Sequence, residues 1–195
     1  MKYKLFSSVS NILNPFLVCT IVFILLALKA TNHAADALKW MAISIAISVV
    51  PVFVIVIYLV RHKKLDSIFI NPREKRTVIY LLSSILAGIG CCILYYLDAP
   101  ELMLASFLAG LVAVVIFTVI NLYWKISLHT AFMSGSSTVL TIVYGIPGIV
   151  TILLLIILGW SRMQLKLHTL SQVVAGAVLP AVVVVVTFWG FGFVG

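Results

Sequence analysis

Between residues 11 and 124 the chain sets down four apolar runs in succession, at about 11–30, 38–60, 77–97 and 100–124, each bounded by polar or turn residues. At ~1.5 Å of rise per helical residue, each run is long enough to cross a ~30 Å hydrocarbon core. The stretch 129–160 is too long for one untilted span, and Gly145-Ile146-Pro147-Gly148 interrupts it with strong turn punctuation. It divides into two short spans, 129–144 and 149–160. A last run, 169–193, makes seven segments, its end fraying at Trp189-Gly190-Phe191-Gly192. No β-barrel alternation, internal repeat or coiled-coil heptad interrupts this pattern. The expected fold is therefore all-α: a polytopic integral membrane helix bundle of six to seven transmembrane helices, and by length a single domain over 1–195.

Composition excludes a soluble domain, with 64% hydrophobic and 9% charged residues and a mean hydropathy of +1.26. The formal charge is +8 with five acids, so Lys and Arg bunch in loops, where they meet lipid head groups or an anionic substrate. The expected partners are membrane lipids, with no nucleic acid. Cys19, Cys91 and Cys92 lie in apolar runs without metal-like spacing and read as small packing residues, with no disulfide framework. Lys2 and Lys4 precede an apolar stretch that reaches Leu28 without a small-residue cleavage site, which predicts an uncleaved first span.

With seven crossings, loops 61–76, 124–128 and 161–168 emerge on one face together with the N-terminus. That face holds eleven of the thirteen cations, against Lys29 and Lys39 on the other. Setting aside the cations in or beside candidate motifs leaves Lys2, Lys4, Arg61, Lys63 and Lys75 against those two. The positive-inside rule then predicts a cell-membrane protein whose cation-rich face is cytoplasmic.

The residues accompanying this charge point to chemistry. Trp160 to Pro180 sets Ser161, Arg162, Lys166, His168 and Gln172 between two apolar runs, where polar groups are costly to desolvate. On a continuing helix His168 and Gln172 share a face. Lys125-Ile126-Ser127-Leu128-His129 places a cation, a hydroxyl and an imidazole at a span's start, where backbone N–H groups favour an anion. The first basic loop offers Lys64, Arg73 and Arg76 around Asn71-Pro72, with Asp66 as a further polar group. Two imidazoles and several cations suit phosphoryl transfer: one ring attacks phosphorus or takes a proton, the other protonates the leaving oxygen, and Arg holds the phosphoryl oxygens.

These residues resemble the type 2 phosphatidic acid phosphatase superfamily of membrane lipid phosphatases, whose blocks are Lys-x6-Arg-Pro, Pro-Ser-Gly-His and Ser-Arg-x5-His-x3-Asp. The third is matched by Ser161-Arg162, His168 and Gln172 at the family spacing. Ile126-Ser127-Leu128-His129 keeps the Ser and His of the second. In the first, Lys64 precedes Asn71-Pro72 by the family's spacing, with Arg73 and Arg76 just beyond. The likeness covers about 60–185. It implies His168 as the nucleophile of a phosphohistidine and His129 as acid and then base. Ser127, Ser161, Arg162, Lys64 and one of Arg73 or Arg76 would hold phosphate, and neither cofactor nor metal is required. Gln172 stands where most members carry Asp. His168-Thr169-x-x-Gln172-Val173 is similar to the block of dolichyl diphosphatases, which implies a polyprenyl diphosphate or monophosphate substrate. The alternative is a non-catalytic relative that binds or moves anionic lipids with the same pocket.

Overall fold

A computed structural model describes residues 2–69 and 72–195, and its regular structure among them is helical throughout. Among the described residues nine α-helices follow in order: α1 Lys2–Ile12, α2 Pro15–Ala30, α3 Ala34–Ser44, α4 Val50–Arg61, α5 Arg73–Tyr96, α6 Glu101–Tyr123, α7 Leu128–Tyr144, α8 Ile146–Gln164 and α9 Leu170–Gly190. A π-helical turn, Ile45–Val49, joins α3 to α4 into one 28-residue span. It lies just ahead of Pro51, whose ring has no N–H and crowds the carbonyl four residues back. Among the described residues five helices are long and apolar enough to cross a membrane, or six spans result where α1 and α2 count as one broken span.

The expected span at 11–30 is instead a helix pair bent by 43°. Pro15 has no N–H to continue α1, and Asn14 serves both helix ends with one side chain. Its Nδ2 donates to the Asn11 carbonyl at 2.7 Å, and its Oδ1 accepts the Leu17 N–H at 3.0 Å. The expected break at Gly145 is present, because that residue takes φ +68°, where glycine is at ease, and α8 restarts immediately with Pro147 in its first turn. α7 has 17 residues, about 25 Å of helix, short of a ~30 Å core and outside the spans just counted. Two stretches read as loop are helical: α8 runs on through Ser161 and Arg162, and α5 already includes Arg73 to Arg76.

The chain forms two compact units, Met1–Cys19 with Lys125–Gly195, and Thr20–Trp124. In the first, α7 and α8 form an antiparallel hairpin, since Thr130 meets Gly159 near one end and Leu140 meets Gly148 near the other. α9 runs parallel to α7, with Thr130 against Gly176 and Gly135 against Pro180. The Ser134 hydroxyl donates to the Ala177 carbonyl of α9, an interhelical hydrogen bond within one turn of Pro180. α9 buries Val173, Gly176, Pro180, Val184 and Phe188, while Val174, Val178, Val182 and Val186 face outward at helical spacing, as a lipid-facing stripe requires.

In the second unit α5 and α6 are antiparallel. Asn121, 1% exposed, donates to the Arg73 carbonyl and the Thr77 hydroxyl, both at 3.1 Å, and the Ser84 and Thr118 hydroxyls meet at 3.1 Å. These are the interhelical polar contacts that hold helices together where lipid removes the hydrophobic incentive to associate.

Candidate functional site

Because α7 and α9 run parallel and α8 opposes both, the start of α7, the end of α8 and the start of α9 share one end of the first unit. Two glycines permit the approach. A Cβ on Gly176 would lie 2.5 Å from Thr130 Oγ1 and 2.7 Å from the Ser127 carbonyl, and one on Gly159 would lie 2.9 Å from Val173 Cγ1. The Ser127 N–H then donates to the Gln172 carbonyl at 3.3 Å, tying the segment before α7 to the first turn of α9. In this way Ser127, His129, Ser161, Arg162, His168 and Gln172 are gathered from three segments, at the end where α1 also arrives.

Gln172 organises the third segment. Thr169 caps α9, its hydroxyl accepting the Gln172 N–H at 3.4 Å while Gln172 Oε1 accepts the Thr169 N–H at 3.2 Å. That second bond identifies Oε1 as the amide oxygen, which only accepts. His168 Nδ1, 3.1 Å from the same atom, therefore carries the ring proton, and in the neutral ring the lone pair lies on Nε2. Lys166, at φ +55°, turns the chain between α8 and this cap.

Ser127 occupies the N-cap position of α7 without capping it: its carbonyl takes the Thr130 hydroxyl at 3.0 Å and the Ala131 N–H at 3.1 Å. The Ser127 and Ser161 hydroxyls are 0% and 1% exposed and meet no hydrogen-bond partner among the described residues. Buried hydroxyls are normally satisfied, so two at one end of a unit call for an explanation. His129, in the first turn of α7, His168, and Arg162, on the last turn of α8, are also buried. Arg162 Nη1 donates to the Ser10 hydroxyl of α1 at 2.7 Å. The segments of this unit carry five Lys or Arg and no Asp or Glu; every acidic side chain of the protein belongs to the other unit.

The three remaining predicted residues lie in that second unit. Lys64 is exposed, in the turn after α4. Arg73 donates from Nη1 to the Leu122 carbonyl at 2.9 Å and pairs with Glu74, so its charge sits at the C-terminal end of α6, where a cation is favourable. Arg76 donates to the Tyr80 hydroxyl at 3.0 Å and lies over that ring. Asp66 pairs with Lys75, and Asn71 lies outside the described residues. A groove of about 600 Å³ along α5, lined by Ser84, Ile85, Gly88, Ile89, Cys92, Ile93, Tyr96 and Leu97, contains none of the candidate residues and suits lipid chains. Among the described residues no three His, Cys, Asp or Glu side chains group as metal ligands would.

Sequence reasoning missed Ser10, 152 residues from Arg162, for which no local signal exists. It also missed the cap at Thr169, which was readable as Thr-x-x-Gln ahead of an apolar run. No protein-family model, curated protein or solved structure matches this chain.

Proposed function

We propose that the chain is a membrane-embedded phosphohydrolase of a lipid phosphate or diphosphate, related by its motif blocks to the type 2 phosphatidic acid phosphatases. The observation that carries this reading is the shared acceptor at Gln172 Oε1, which holds His168 as the Nδ1–H tautomer and leaves Nε2 the nucleophilic atom. The buried Ser127 and Ser161 hydroxyls and the Arg162 guanidinium, in a unit without carboxylate side chains, supply donors and positive charge for a phosphoryl group.

In the first step His168 Nε2 bonds to phosphorus, the bond from phosphorus to the leaving oxygen breaks, and His129 gives that oxygen its proton. In the second, His129 takes a proton from water, the water oxygen bonds to phosphorus, and the N–P bond breaks to release inorganic phosphate. Gln172 supports the charged ring through a dipole, where an Asp would do so through a full charge. That weaker support favours a substrate whose leaving group bears charge well, namely the polyprenyl monophosphate expelled when His168 attacks the terminal phosphorus of a polyprenyl diphosphate, in place of an alkoxide. With α7 taken as a crossing, the excess of Lys and Arg in the loops at this end supports a cytoplasmic face for the site.

The test is phosphate release by the purified full-length protein in detergent from a polyprenyl diphosphate, a phosphatidic acid and a phosphatidylglycerol phosphate. We expect turnover of the diphosphate, and a loss of about 10³-fold or more in His168→Ala, since a nucleophile has no substitute. Lipid binding with no release from any of the three would replace the enzyme with an anionic-lipid-binding protein.

A further inference from the structure

We infer that Ser10 of α1 is a positioning residue for Arg162, making the N-terminal helix part of the phosphate-binding apparatus; this rests on the reading of Arg162 as a phosphate ligand. α1 buries one of its described residues, and that residue is Ser10, at 3% exposure. Phe6 and Val9 of α1 are half-buried and Leu5 and Ile12 are each 62% exposed, so the most deeply buried position of the helix carries a hydroxyl and not an apolar side chain. That hydroxyl accepts a charge-assisted hydrogen bond of 2.7 Å from the Nη1 of Arg162, itself 3% exposed.

An arginine fork has five N–H donors in one plane, so fixing one nitrogen sets the direction of the others. Ser161, the residue beside Arg162, holds a buried hydroxyl without a partner among the described residues, in the segment that Gly159 brings against Thr130 and Val173. Ser10 thus holds the guanidinium plane from the side of α1 while the donors at the end of α8 receive the anion. Asn14 caps the end of the same helix and sets its direction.

The experiment measures pyrophosphate binding by calorimetry, and polyprenyl diphosphate turnover, for wild type, Ser10→Ala, Ser10→Thr, Arg162→Lys and Ser10→Ala/Arg162→Lys, all full-length in detergent. Ser10→Ala should weaken pyrophosphate binding about tenfold, the size of one charge-assisted hydrogen bond, and raise KM with it. Ser10→Thr, which keeps the hydroxyl, should restore binding. Ser10→Ala should have no further effect on the Arg162→Lys background, because the shorter ammonium lacks the fork that Ser10 orients. Wild-type affinity in Ser10→Ala overturns the inference, as does an equal loss on both Arg162 backgrounds, which marks a purely structural role. Pyrophosphate binding that depends on Ser10 without turnover would overturn the phosphatase and leave the inference standing, whereas a wild type that does not bind pyrophosphate ends both.

Discussion

Replacing Gly176 by Ala tests the site's construction at its narrowest point. The new Cβ would lie 2.5 Å from Thr130 Oγ1 and 2.7 Å from the Ser127 carbonyl oxygen, whereas ordinary contact begins at 3.4 Å. Thr130 can rotate, but the Ser127 contact is backbone, so α9 and the start of α7 must separate by about 0.7 Å. The Ser127 N–H bond to Gln172 is already 3.3 Å and would stretch past the hydrogen-bonding range. Overpacking of this kind costs about 1–3 kcal/mol, of which alanine's better helix propensity returns less than ~1. We therefore expect an apparent Tm lower by a few degrees. The separation moves Ser127 and His129 against His168, and a misplacement approaching ~1 Å costs about 10²-fold in turnover. Phosphate release and thermal melting in detergent read the two effects separately. Gly110→Ala is the control, since a Cβ there meets nothing within 4 Å, and it should match wild type or exceed it in stability. Wild-type melting and turnover in Gly176→Ala would show that the three segments do not meet as described.

Two further outcomes are expected. Gln172→Asp keeps an acceptor for the His168 Nδ1–H and adds a charge favouring imidazolium, so turnover should rise and the pH optimum shift upward; a fall with unchanged melting would mean the site is built around a neutral amide. Cysteines placed singly at Thr31 and Ser67 in a protein otherwise free of cysteine flank the one span Ala34–Arg61, so an impermeant thiol reagent on intact cells should label Thr31→Cys and spare Ser67→Cys; the reverse labelling refutes the cytoplasmic site.

The sequence was most readable where one local cause dominates. Hydropathy located α5 and α6 to within a few residues at most ends, and Gly145 with Pro147 announced the α7–α8 turn. Ser161, His168 and Gln172 stood out as polar residues between two apolar runs, and α8 and α9 bring them to one end of the first unit. Reading failed where a side chain acts at a distance or serves two elements. Asn14 caps two helices at once, and counting apolar residues across it does not show the 43° bend that the structure places there. Arg73 read as a loop cation available to phosphate, whereas its guanidinium donates to the Leu122 carbonyl, 49 residues away. Ser10 and the close approaches at Gly159 and Gly176 depend on which helices become neighbours, information that no single helix holds.

The turn at Gly145 makes α7 and α8 two arms of a lever. Gly148 is three residues from the pivot and Ser161 sixteen, so at a constant ~1.5 Å per residue any splay grows about fivefold before it reaches the site. A Cβ on Gly148 would collide with the Leu140 carbonyl and the Thr141 nitrogen, prising the arms apart close to the pivot. A methyl group at the far end of the hairpin should therefore lower turnover without touching any candidate residue, and a Gly148→Ala protein with wild-type phosphate release would show that the arms flex where they are pushed.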